Sequence, residues 1–246
     1  MMGVEQKVMD RRRSKRYRNL RERIDRLKSY PLAEAVRLVK ENASAKFDES
    51  VEVAVRLGID PKKQEQAVAG TVSLPYGTGK KVRVLAFVKG DKVDEARAAG
   101  ADYVGLEELV ERISSGWTEF DVAVATPDTM AAVGRLGKIL GPKGLMPSPK
   151  TQTVTFDVGP AIKALKAGRI NYRNDKTGNV HAVVGKVSFE PQQLIENIKT
   201  FIRELMRNKP ATAKGQFIRK VVLSSTMGVG VRIDPKEFLE TSLREV

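Results

Sequence analysis

The period of the apolar residues changes twice along this chain, and those changes constrain its architecture more than any other feature. In SVEVAVRLGID (50–60), Val51, Val53, Val55, Leu57 and Ile59 alternate with Ser50, Glu52, Ala54, Arg56 and Gly58, the pattern of a strand with one buried face. VRVLAFV (82–88) is nearly all apolar instead, as a strand covered on both faces would be. A helix pattern to Gly100, a strand ADYVG, a helix LEELVERISSG, a strand FDVAVATP and a helix from near Pro127 follow it. TVTF (153–156) and a helix through AIKALKAG complete the run. Strand alternating with helix in this way predicts βαβ units and a parallel sheet. From Arg169 the two-residue period returns. RINYRN, the turn DKTGN and VHAVVGKVSF predict a long hairpin, PQQLIENIKTFIRELMRNK a strongly amphipathic helix, and QFIRKVVLSST, MGVG and VRID a second hairpin. Half-exposed strands thus stand on both sides of the parallel unit and none within it. The expected architecture combines α+β and α/β classes in two domains. A discontinuous α+β sandwich is built from residues 1–76 and 169–246, with a parallel α/β domain, 77–168, inserted between them.

Charge divides along the same line. The chain carries a net +14. Of this, residues 1–76 hold +6, residues 77–168 only +2 and residues 169–246 another +6. Such an excess points to a polyanionic partner, nucleic acid first, and to the discontinuous domain as the part that binds it. The densest segment is 11–28, RRRSKRYRNLRERIDRLK, with ten cations against two acids. Leu20, Ile24 and Leu27 recur there at helical spacing, so its second half is expected to lie on a core as a helix, while the cations reach phosphates without sequence choice. No Trp or Phe lies opposite those cations, which disfavours a membrane-surface helix. No apolar run approaches the ~18 residues of a membrane span. Cysteine is absent, which excludes disulfides and thiol catalysis and fits a cytoplasmic setting.

GRLGKILGPKGLMPSPK (134–150) holds four glycines, three prolines and four cations without an acid. It invites a nucleotide reading and fails it, because a phosphate-binding loop needs Gly-Lys followed by Ser or Thr between strand and helix. YGTGKK (76–81) has Leu74 where the first glycine belongs, Lys81 where the hydroxyl belongs, and precedes a strand instead of following one. The dinucleotide fingerprint also fails, since KGDKVDEA after VRVLAFV has one glycine. The stretch therefore reads as a close-packed surface loop stiffened by proline. His181 is the lone histidine. It shares strand parity with Val183, Val187 and Phe189 and is expected at the edge of the core. No carboxylate cluster has metal-ligand spacing. The chain is expected to be no enzyme, with no catalytic residue, cofactor or metal.

A polar surface on the discontinuous domain is the remaining candidate. Lys46 and Phe47 precede Ser50 and Glu52, which project from the non-core side of their strand. Lys220, Ser224 and Thr226 share one parity, and Met227-Gly228 makes the turn. Cations attract any phosphate, but Glu52 repels it and must meet a donor. Base amino groups and ribose 2′-OH groups qualify, and the 2′-OH distinguishes RNA from DNA. Phe47 or Met227 can pack on a base or ribose, and Gly228 admits close backbone approach. The same residues would also suit a plain solvent-facing sheet, and residue chemistry alone leaves both readings standing.

GRLGKILGPKGLMPSPK, FDESVEVAVRLGID, GRINYRNDKTGNVHAVVGK and SSTMG together resemble the bacterial large-subunit ribosomal protein one, or L-one, family, collinearly over about residues 15–234. The first of these is that family's signature and lies in a structural loop. The resemblance implies a domain built from both chain ends and an inserted Rossmann-like domain, joined by a flexible hinge. It implies binding to the mobile stalk of large-subunit rRNA beside the exit site for deacylated tRNA, whose release such proteins assist. It also implies repression of the protein's own operon through a leader mRNA that mimics the rRNA site. No small-molecule substrate is implied; the protein would be a monomer off the ribosome and cytoplasmic on it. By motif the RNA contacts carry over to Phe47, Ser50, Glu52, Thr226, Met227 and Gly228, with Lys46 and, in the NDKTG turn, Lys176. Ser50 stands where relatives commonly have Thr, keeping the hydroxyl and losing a methyl. The segment before Lys15 extends the usual start, and the resemblance does not reach it.

Overall fold

The computed structural model describes residues 14–25 and 27–238. Four of the arm's ten cations, at 11–13 and 26, lie outside them, as does the segment before residue 11. Along the chain α1 (Lys15–Glu22) and α2 (Leu32–Asn42) precede β1 (Ser50–Leu57) and β2 (Ala69–Ser73). Then come β3 (Val84–Phe87), α3 (Lys92–Ala98), β4 (Tyr103–Gly105), α4 (Glu107–Ser114) and β5 (Val122–Ala125). Two single-turn helices, α5 (Met130–Val133) and α6 (Gly137–Leu140), lead to α7 (Val158–Lys166). β6 (Arg169–Arg173), β7 (Asn179–Lys186), α8 (Pro191–Arg207), β8 (Ile218–Ser225) and β9 (Val231–Ile233) follow. The chain forms two compact units, residues 1–68 with 173–246, and residues 69–172. The division lies a few residues from the expected 76 and 168, because β2 and β6 pair with each other in a two-stranded sheet.

In the first unit four strands are ordered β7-β1-β8-β9, and β1 pairs antiparallel with both neighbours. The two-residue period places Val51, Val53, Val55 and Leu57 on the buried face. Val180, Val184, Val221 and Leu223 of the neighbouring strands are buried with them, and α2 packs on β8 and β9 and α8 on β7. α8 is the longest helix described, and its start is doubly fixed: Pro191 opens the first turn, and the Glu190 N–H donates to Gln193 Oε1 at 3.1 Å in a capping box. Its Leu194, Ile198, Phe201, Ile202 and Leu205 are all buried. One layer of helix therefore covers one face of the sheet, and the other face is left for function.

In the second unit the strands are parallel and ordered β4-β3-β5. All four residues of β3 are buried. Leu85 and Phe87 meet Leu109, Ile113, Leu136 and Leu140 on one side. Val84 and Ala86 meet Val158, Ile162 and Leu165 on the other, which is why this strand reads as continuously apolar.

Three expectations are corrected. RINYRN and VHAVVGK do not form a long hairpin: β6 pairs with β2, β7 pairs with β1, and a single Asn174–Val180 bridge joins their ends. TVTF contributes only a bridge between Ala125 and Val154. Leu20 and Ile24 are buried but Leu27 is 89% exposed, because α1 stops at Glu22 and the helical phase stops with it.

Candidate nucleic-acid interface

The uncovered face of the first unit is composed by register. Glu52 stands opposite Ser224, and Arg56 opposite Lys220. On the other neighbour Ala54 stands opposite His181, and Ser50 opposite Lys186. His181 is 61% exposed, not at the core edge. A β-bulge is the reason: Val51 pairs with Gly185 but Glu52 with Val183, so Val184 is extra and parity reverses across it. Asn197, fully buried on α8, donates Nδ2–H to the Val184 carbonyl at 2.7 Å and so satisfies an acceptor at the bulge.

At one end of this face two loops, 44–49 and 226–228, are tied together by a group the sequence reading passed over. Glu49 is 1% exposed. Its Oε1 accepts from the Ser44 and Ala45 N–H groups at 3.1 and 3.0 Å, and its Oε2 from the Met227 N–H at 2.8 Å. Burial alone would raise its pKa; the N–H groups of Met227, Ala45 and Ser44 outweigh that and hold it below the ordinary 4.5. Arg16 adds a second tie from α1, donating to Ser44 Oγ at 3.0 Å and to the Met227 carbonyl at 2.8 Å. Met227 is thus fixed at both its N–H and its C=O while the residue stays 47% exposed, and Phe47, on the facing loop, is 57% exposed. The signal for Glu49 was in its parity: it is an acid in the buried phase of β1, where a carboxylate needs several donors.

The remaining candidates divide by role. Thr226 extends the β1–β8 ladder: its Oγ1 accepts from the Ser50 N–H at 3.0 Å, and its own N–H donates to the Ser50 carbonyl at 3.0 Å. Ser50 Oγ accepts from Lys186 Nζ at 2.9 Å, leaving its own proton to donate outward. At Gly228 a Cβ would lie 2.4 Å from Ser225 Oγ, so any side chain there would have to displace that hydroxyl. Lys46 and Glu52 are exposed, and the Glu52 side chain has no hydrogen-bond or ion-pair partner among the described residues. Lys176 is not part of this cluster. It caps the turn next to Asn179, which pairs with Arg56 at the far end of β1, about 20 Å from Ser50 at ~3.3 Å per residue. That turn is held by Asp175 Oδ1, which accepts from the Thr177 and Asn179 N–H groups, each at 2.8 Å. The Asn179 N–H and the Thr177 hydroxyl hold the Asp175 carboxyl far below its usual range.

The second unit offers no comparable surface for a nucleotide. In an open parallel sheet such a ligand sits beyond the carboxyl ends of the strands, where strand order reverses. There the Phe87 carbonyl accepts from the Thr126 N–H at 3.2 Å and from Thr129 Oγ1 at 3.0 Å, and both threonines are buried. The crevice is filled by the protein's own turn. Lys80 of YGTGKK is bound to Asp121 at 2.6 Å. Residues 134–150 are only partly a loop: a short 3-10 turn and α6 occupy 134–140, and Leu136 and Leu140 enter the core.

Fold and surface together define a mixed α/β protein whose candidate site is an open, pre-fixed polar face with two exposed apolar anchors, not an enclosed pocket. The profile described as the ribosomal protein L1p/L10e family matches residues 39–229. Three proteins named large ribosomal subunit protein uL1 resemble it over nearly their full length. That of Thermus thermophilus is 59% identical over 90% of this chain and 97% of its own, and that of Kosmotoga olearia 55% over 93% and 99%. That of Thermobifida fusca is 54% identical over 94% and 98%. The chain belongs to the ribosomal protein L1p/L10e family.

Proposed function

We propose that this protein is a constituent of the large ribosomal subunit in the cytoplasm and binds its rRNA through the Phe47–Met227 end of the open sheet face. The RNA is the folded stalk beside the tRNA exit site. There the protein assists release of deacylated tRNA, and the same surface binds the leader of its own operon's messenger and represses translation. It carries no catalytic step, takes no small-molecule substrate and is a monomer off the ribosome. The observation that supports this reading is the double fixing of Met227 by Glu49 and Arg16. A side chain held out on an immobilised backbone binds with little further loss of freedom. Phe47 and Met227 supply stacking area, Ser50 and Glu52 supply a donor and an acceptor for base edges and 2′-OH groups, and the surrounding cations supply salt-sensitive attraction.

The test is a salt titration of binding to the rRNA stalk fragment beside a generic hairpin of equal length. A large preference for the stalk that survives rising salt is expected. Equal affinities that fall together with salt would reduce the interaction to electrostatics and overturn the assignment.

A further inference from the structure

In the second unit the charges are segregated. Residues 129–156 hold Arg135, Lys138, Lys143 and Lys150 and no acid, whereas the rest of 69–172 is balanced, ten cations against eleven acids. The helical run through α5 and α6 turns Val133, Leu136 and Leu140 into the core and leaves Gly134, Arg135, Lys138 and Gly141 exposed on the opposite side. Exposed Lys143 follows, its Nζ donating to Thr118 Oγ1 at 2.6 Å, in a turn closed by Gly144 at φ +69°. The side chains of Arg135 and Lys138 have no hydrogen-bond or ion-pair partner among the described residues.

Gly144 serves the turn, and Gly141 leaves no room for a Cβ, which would lie 2.5 Å from the Gly137 carbonyl oxygen, but two of these glycines do not serve the fold. Gly134 and Gly137 have ordinary helical backbone angles, and a Cβ on either would meet nothing within 4 Å. Glycine at such a position costs helix stability relative to alanine and gains nothing in packing. What it leaves is bare backbone beside two cations on a segment without an acid, suited to close approach by an external polyanion. Phe156 is exposed near the end of this segment, but none of the exposed large apolar side chains falls on α5 or α6, which favours a phosphate backbone over a lipid surface.

We propose that the exposed side of α5–α6, with Arg135, Lys138 and the backbone at Gly134, is a second RNA-binding surface, one that contacts sugar-phosphate backbone without reading sequence. This rests on the rRNA association proposed above, and the two are separable because the residues lie on different units.

The experiment measures the full-length chain against deproteinised large-subunit rRNA across a salt series, with Phe47→Ala in parallel. The variant R135Q/K138Q should bind about 3- to 10-fold more weakly at low salt and flatten the log–log salt slope by roughly 1 to 2, one contact's worth per cation. Gly134→Ala supplies a readout that misfolding cannot mimic. It should raise Tm by roughly 1–3 °C, through loss of chain entropy in the unfolded state, while weakening RNA binding. Unchanged affinity and slope in both variants, with Phe47→Ala still impaired, would overturn this surface and leave the outer one standing. The reverse pattern would overturn the outer one alone, and no effect in any variant would sink both.

Discussion

At the scale of single residues the candidate site separates into groups that face outward and groups that hold them. Phe47, Met227, Glu52 and the Ser50 hydroxyl face outward; Glu49, Arg16, Lys186 and Thr226 hold them. The two classes should respond differently to substitution. Phe47→Ala is expected to weaken binding to the rRNA stalk by about 1–3 kcal/mol, a stacking contact's worth, with Tm unchanged. Glu49→Gln touches no RNA, yet it sets an amide N–H against a backbone N–H that now meets carboxylate. It should therefore cost about 1–3 kcal/mol of stability and weaken binding as well, read by urea unfolding and filter binding on the same samples. Acid adds an independent check. A carboxyl whose pKa falls on folding contributes stability that is complete above its unfolded value and is lost as pH drops through the folded one. Wild type should thus lose stability more steeply than the Gln variant as pH falls below the ordinary carboxyl value of 4.5. Phe47 and Met227 were legible in the sequence as exposed apolar residues beside a polar strand. Glu49 was legible only in principle, because its importance lies in donors that come from residues as distant in sequence as Met227.

At the scale of elements, local rules were reliable where the pattern is local. The period-2 alternation of β1 and the apolar stripe of α8 predicted both elements and their buried faces, and the all-apolar β3 predicted burial on both sides. They failed where pairing is long-range. β6 looks like half of a hairpin because a good turn follows it, yet its partner β2 lies about a hundred residues upstream, and no turn signal reports that. His181 was misassigned because one bulge reverses parity, and a bulge leaves no mark in an alternating pattern except the glycine beside it. Asn197 shows the cost of that bulge. Asn197→Ala should destabilise the protein by about 1–3 kcal/mol through the orphaned Val184 carbonyl, measured by urea unfolding. RNA affinity at low temperature should stay unaltered, since α8 lies on the opposite side of the sheet from the candidate site.

At the scale of the whole molecule, charge and chain division agree: the excess of cations falls on the unit built from both ends, while the insert is nearly neutral and carries its charge segregated. A chain joining residues 1–68 to 173–246 through a short glycine-serine linker should fold, by circular dichroism, and keep stalk-RNA affinity within about tenfold of wild type, the deficit matching the phosphate contacts assigned to the insert. A folded chain of this kind without RNA affinity would move the principal site to the insert. Met227 also decides how such a surface can change over generations. Its backbone is held by Glu49 and Arg16 irrespective of what its side chain is, so geometry and chemistry at that point are inherited separately. A lineage could exchange the thioether for another group, and with it the RNA it prefers, without disturbing the frame that presents it.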